Sequence, residues 1–235
     1  MLVRTVAVAN TPKSSILGTV APNLPMPGPA HDKVYLELLN NAQRLYYNQI
    51  DRFTQGLLST NGGSALSFPN IAASYNANQY AGGNNVETIV QWDTLEAGNG
   101  FTLNANNTAT ATYTGIYKID YSLQFANTAN AFHDAIVWLK ITSGGVTTNV
   151  PRSASKFTVN ARKSAGVPSY LIAYSSIVFE VQAGDSIGLW WQTDLAYNPV
   201  GPVDGVYMLY EAAAGNYPAI PSAIGSIVFV SKPTT

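Results

Sequence analysis

The chain reads as a mainly β protein: an antiparallel jelly-roll sandwich preceded by an extended N-terminal arm and one α-helix. Three observations predict it. From about Val86 onward, apolar and polar residues alternate with the period of a half-buried strand. Turn signals built from Gly, Asn and Asp punctuate that region at short, regular intervals, with no helical pattern between them. Only between residues 31 and 58 does the apolar spacing switch to a helical period.

Composition narrows the function. The chain has 235 residues, of which 46% are apolar, so a packed core is easily built. Charged residues make up only 11%, against about 25% in ordinary soluble domains. The net charge is −1, which gives nucleic-acid binding by phosphate neutralisation no basis. A surface so poor in charge suits either coverage by other protein chains or a neutral, Asn/Thr-coated exterior. The absence of cysteine removes disulfides, thiolate zinc sites and cysteine nucleophiles. The first residues do not read as a secretory signal, because Arg4 and Asn10 break the apolar run. No stretch approaches the roughly 20 apolar residues that cross a bilayer, so no membrane partner is expected.

Residues 1–30 read as an extended arm. Pro22, Pro25, Pro27 and Pro29 fix φ and remove backbone donors, which excludes a helix or a central strand. A terminal arm is either a solvated tail or a strap over a neighbour. Leu2, Val6, Val8, Ile16 and Leu17 are too apolar for a tail and are the expected docking residues.

Residues 31–58 form the expected helix, with Asp32 as N-cap or first-turn acid. Leu36, Leu39, Tyr46, Ile50, Phe53 and Leu57, with Gln43 in the gap, follow an a/d seam. Leu38, Ala42 and Leu45 widen the apolar face. The seam fits a helix packed on its own domain or a bundle of identical helices about a symmetry axis. Gly62 and Gly63 close the segment. Residues 59–85 read as a linker rich in Asn, Gly, Ala and Ser, with SALSF as a possible short strand.

Residues 86–235 carry the β pattern. VETIVQW reads as a strand, DTLEAGNG as a turn, and FTLN and TATATYT as short strands. IYKIDYSLQF alternates best: Tyr117, Ile119, Tyr121, Leu123 and Phe125 face one way. DAIVWLKIT, a Gly144–Gly145 hairpin turn, VTTNV, SYLIAYSSIVFEV, the AGD turn, SIGLWWQT and GVYMLYEA follow. The closing strand, Ile224–Val230, is apolar on both faces. Ile227 and Phe229 are therefore expected at a subunit interface.

Few residues suit catalysis. His31 and His133 are isolated, and no nucleophile elbow, phosphate loop or dinucleotide fingerprint accompanies them. The carboxylates lie at turns and on polar strand faces, with no spacing that selects a glycosidase pair. No metal or cofactor is expected. The aromatics remain: Trp190 and Trp191 must face opposite ways on a strand, one into the core and the other toward solvent or a partner. Trp92, Trp138 and the 14 tyrosines serve either packing or sugar stacking.

Two stretches resemble a known group. PMPGPAHDKVYLELLNNAQRLYYNQIDRFTQGLLSTNGG resembles the N-terminal part of virion structural proteins of tailed bacteriophages, notably those of marine bacteria and cyanobacteria. Leu38, Leu39, Asn40, Asn41, Arg44, Leu45, Asn48, Gln49 and Asp51 carry that likeness, with Asn61, Gly62 and Gly63. Over residues 87–230, Gly115, Tyr117, Ser122 and Gln124, then His133, Asp134, Trp138 and Leu139, then Val150–Ser153 fit phage particle proteins. So do Ala183–Trp190 and Pro218–Val230. The G-x-Y and AGD features are similar to the trimeric jelly rolls of tumour necrosis factor and complement globular heads. The resemblance implies a non-enzymatic virion protein, assembled in the host cytoplasm as a homotrimer. Its expected partners are other virion proteins, the major capsid protein first. The expected role is that of a capsid decoration or cement protein. The alternative is a trimeric tail or head fibre, spike or adaptor subunit that recognises a host-surface glycan.

Overall fold

A computed structural model of the chain describes residues 24, 33–58, 68–201 and 203–233, with side chains omitted at 55–58. The arm residues Leu2, Val6, Val8, Ile16 and Leu17 lie outside these, as do Asp32 and most of SALSF. The chain divides into two units, Met1–Ser67 and Phe68–Thr235.

In the first unit, Lys33–Leu58 is a single α-helix, α1. Leu is its commonest residue, Gln and Arg add further good helix formers, and its only glycine, Gly56, falls in the last turn. Lys33 and Glu37 sit 3.8 Å apart one turn on, too exposed to contribute much. None of its described side chains is buried. Leu36 is 48% and Phe53 39% exposed. Leu39, Tyr46 and Ile50 are half-buried, in line with Tyr35 and Ala42. Leu57 falls where side chains are not described.

The second unit holds thirteen strands among the described residues: β1 (Asn70–Tyr75), β2 (Thr88–Ile89), β3 (Thr94–Asn99), β4 (Phe101–Leu103), β5 (Ala109–Ala111), β6 (Gly115–Asn127), β7 (His133–Ser143), β8 (Val146–Asn149), β9 (Ser155–Val159), β10 (Ser169–Val181), β11 (Ser186–Thr193), β12 (Val206–Met208) and β13 (Ala223–Ser231). One sheet runs β10-β6-β13-β1-β3, with β12 also on β6. The other runs β4-β5-β11-β7-β8, with β2 on β11 and β9 on β7. Every strand pair is antiparallel. The chain crosses repeatedly from one sheet to the other, among other places between β3 and β4, β5 and β6, β6 and β7, β9 and β10, β10 and β11, and β11 and β12, as in a jelly roll.

The core lies between the sheets. Tyr117, Ile119, Tyr121, Leu123 and Phe125 of β6 all point into it, as their alternation predicts. Val137 and Leu139 of β7 and Leu189 and Trp191 of β11 meet them from the other sheet. Phe125 and Trp191 pack with ring centroids 5.6 Å apart. Gly144 and Gly145, at φ 57° and 84°, make the β7–β8 turn that β-carbons would strain.

The structure differs from the sequence reading in three places. The β unit begins at Phe68, inside the expected linker, because NIAASY (β1) pairs on both sides, with β13 and β3. TLEAGN, read as a turn, is the edge strand β3, which needs no alternation because it is largely exposed. Ile227 and Phe229 are not on the outer face of the last strand. Ile227 is 5% exposed in the domain's own core, and Phe229 packs edge-on to Tyr117 at 5.6 Å. The outward residues of β13 are Ile224, Val228 and Val230.

Candidate functional site

The first surface is the outer face of the β10-β6-β13 sheet. On β10, Tyr170, Ile172, Tyr174 and Val178 point out and are 54–62% exposed. Pairing places Tyr174, Ser122 and Ile224 in one row across the three strands. Val178, Lys118 and Val228 form another row. Asp120, in the row between, pairs with the Lys118 ammonium at 3.0 Å and accepts the Tyr174 hydroxyl at 3.0 Å. Burial alone would raise the Asp120 pKa, but the Lys118, Ser176 and Tyr174 hydrogen bonds together hold it below the usual carboxylate range. The charge at the centre of this face is thus neutralised within the chain, and around it the exposed apolar residues of β10 and β13 alternate with Ser176, Glu180, Ser122 and Gln124.

The opposite sheet presents a different outer face. Trp191 is in the core, while Trp190 points outward with the Lys140 ammonium 4.5 Å from its ring centre. Its cross-strand neighbour Trp138 donates its indole N–H to Asn149 at 3.0 Å, and Lys140 is tied to Glu87. The tryptophans here are covered by a lysine stem rather than left as a bare platform.

His133 and Asp134, adjacent in sequence, do not pair as an acid–base couple. His133 Nδ1 lies 3.2 Å from Asp194 Oδ2, and the Asp134 backbone N–H donates to the other oxygen of Asp194 at 3.0 Å. Among the described residues, no serine, threonine or tyrosine hydroxyl hydrogen-bonds to His133. Nor does any group of three or more His, Asp and Glu side chains converge as a metal site.

Asp134 instead meets Lys156 at 2.6 Å and accepts the Thr158 hydroxyl at 2.7 Å. The Lys156 contact, then Thr158, holds its carboxyl below the usual range. A depressed carboxyl contributes stability above its unfolded value of about 3.9, lost as pH falls through the folded value. Asp134→Asn should therefore lower the melting temperature at pH 7 by on the order of 1 °C and leave it unchanged at pH 2. A loss that persists at pH 2 would refute the ion pair as its source. Melts across that pH range, repeated in 0.5 M salt, make the check.

The third surface is the end of the sandwich built from long connections. Residues 76–87, 128–132, 160–168, 194–201 with 203–205, and 209–222 emerge there, at the Asn127, Ser169, Thr193 and Ala223 ends of their strands. The opposite end holds tight turns only: Gly100, 112–114, 144–145 and 182–185. The chain also enters at that tight end, where the Phe229 N–H donates to Pro69 O at 2.9 Å. At the long-loop end, Tyr80, Tyr197 and Tyr207 form a cluster with centroid separations of 4.9–5.8 Å. Burial first, then the Tyr197, Tyr170 and Tyr80 phenols, pushes the Tyr207 hydroxyl pKa up.

Between the sheets lies a small cavity of about 40 Å³, walled by Ile71, Trp92, Leu103, Tyr121, Leu189 and Ile227 among others. It is too small for a metabolite. The helix residues Leu36, Leu39, Tyr46, Ile50 and Phe53 belong to the first unit and are described with it.

No helix among the described residues is long and apolar enough to cross a membrane. No protein-family model and no curated protein matches the chain.

Proposed function

We propose that the protein is a non-enzymatic structural component of a phage particle, assembling as a homotrimer that decorates or cements the capsid. The observation that carries this reading is the outer face of the β10-β6-β13 sheet. Monomeric proteins rarely leave a contiguous apolar patch on a rigid sheet uncovered. Here isoleucine, valine and tyrosine from two strands surround an ion pair already satisfied within the chain. A second copy can cover such a face without supplying a counter-charge, which avoids the desolvation penalty of an unpaired ion. Burying each of these side chains contributes on the order of 1–2 kcal/mol. The helix seam of Leu36, Leu39, Tyr46, Ile50 and Phe53 supplies a second apolar stripe for the same association. Leu2, Val6, Val8, Ile16 and Leu17 are proposed to dock the arm on the major capsid protein. The role is thermodynamic: extra buried area between shell subunits opposes their parting.

Size-exclusion chromatography with light scattering tests the oligomer. The expected mass is near three times 25.1 kDa, and a stable monomer overturns the reading. Deleting residues 1–30 should leave that mass unchanged and abolish attachment to particles. Attachment that survives the deletion refutes the strap.

A further inference from the structure

We propose that the long-loop end of the sandwich carries a binding site for an uncharged sugar, built on Tyr80 and Tyr197. The site is a groove of about 410 Å³ between the 76–87 and 194–205 connections, within the size range of small-ligand sites. Tyr80, Asn84, Tyr197, Asn198 and Val203 line it, with Gly82 and Gly83 at one wall. No Asp, Glu, Lys or Arg is among its described lining residues.

The aromatic base is rigid. Tyr207 is buried beneath, Tyr197 is half-buried, and Tyr80 is 37% exposed, so the cluster grades from core to solvent. A ring fixed in this way offers its negative π-face to the C–H-bearing face of a pyranose with little entropy to lose. The loops around it are fixed too. Asn84 Oδ1 accepts the Ala196 N–H at 2.8 Å, and the Asn85 N–H donates to Thr193 O at 2.7 Å. Asn198 Oδ1 accepts the Val200 N–H at 3.0 Å. Gly205 holds the second connection in place: a Cβ there would stand 2.5 Å from the Tyr197 nitrogen. Each asparagine thus spends its carbonyl on the loop. Neither amide NH₂ has a hydrogen-bond partner among the described residues. Two amide groups beside an aromatic face suit sugar hydroxyls, which accept as readily as they donate. The uncharged lining favours neutral hexoses and N-acetylhexosamines over uronic or sialic acids, because no cation there pairs with a carboxylate.

Position supports the same reading. The chain enters and leaves the β unit at the tight-turn end, beside Pro69 and Ser231. The Tyr80 groove lies at the opposite, long-loop end of that unit. The groove lies at a loop end, not on the outer face of the β10-β6-β13 sheet, so binding does not depend on the oligomer. A trimer would multiply a weak site, with a monovalent Kd on the order of 1 mM, by avidity.

The test uses the full chain on an array of immobilised neutral and sialylated oligosaccharides. Neutral hexose or N-acetylhexosamine structures should bind, and 0.5 M salt should leave the signal unchanged. Tyr80→Ala, which removes the ring, should lower the signal at least tenfold, and Tyr80→Phe should retain it. Val203→Trp fills the groove from its rim and keeps all three tyrosines; it should abolish binding even if Tyr80→Ala proves unstable. Binding of no neutral glycan, binding confined to acidic glycans, or binding that survives Val203→Trp overturns the proposal. None of these results alters the mass test of the trimer.

Discussion

Ile172→Glu with Ile224→Glu should convert the trimer to a monomer, read as a threefold fall in mass by light scattering. Both side chains point outward, on β10 and β13, so neither substitution opens a cavity in the core. Their cross-strand neighbours on β6 are Gln124 and Ser122, not Lys118. The new carboxylates therefore find no cation within the chain to neutralise them. In water they are solvated and the domain keeps its stability within about 1 kcal/mol, the span of strand propensity. At a subunit contact each would be buried unpaired, which costs several kcal/mol per subunit. A trimer that survives the double substitution would move the contact off this sheet, and Ile50→Asp with Phe53→Asp would then test the helix seam alone. Val178 and Val228 are poorer choices, since both lie beside Lys118, which would shield an introduced acid.

The strands that were plain from the sequence are those whose burial is decided locally. From Tyr117 to Phe125, β6 alternates strictly because one face meets the core and the other faces outward, and each inward residue there is large. β1 was hidden because Asn-Ile-Ala-Ala-Ser-Tyr has small residues on both faces. Its strand character comes from two backbone partners distant in sequence, β13 and β3. β3 carries no pattern at all, since an exposed edge imposes none; Ser74 of β1 bonds its Glu96 at 2.7 Å.

The register of β13 shows a different limit. In Ile-Gly-Ser-Ile-Val-Phe-Val, apolar residues occupy neighbouring positions, so periodicity cannot choose a face. Pairing to β6 chooses it: Ile227 sits opposite Ile119 and Phe229 opposite Tyr117, both inward. The expectation that this strand offers an apolar outer face survives in Ile224, Val228 and Val230, one position out of phase. The Tyr80 groove was less accessible still. Tyr80 and Tyr197 come from separate connections and Tyr207 from β12, and no local pattern brings them together. The available hints were Gly82-Gly83-Asn84-Asn85 after one tyrosine and Asn198-Pro199 after another, which mark loops without saying that they meet.

Trp191→Ala should be the most damaging single change in the β unit, by about 3–5 kcal/mol, a fall of roughly 10 °C in melting temperature. Trp191 is fully buried between the sheets against Phe125, so truncation leaves a large void in a core that strand pairing holds open. Trp191→Phe separates packing from polarity. The Trp191 indole N–H is buried without a hydrogen-bond partner, so replacing it forfeits no bond and relieves a desolvated donor. The phenylalanine variant should therefore lose well under half of what alanine loses. Trp190→Ala supplies the contrast one residue away. Its ring lies on the outer face beneath Lys140, so its removal costs about 1 kcal/mol, the worth of an exposed cation–π contact and partial burial. Thermal melts of the three tryptophan variants thus read the facing of β11 directly: a register shifted by one residue would exchange the two alanine results, because neighbouring side chains on a strand cannot share a face.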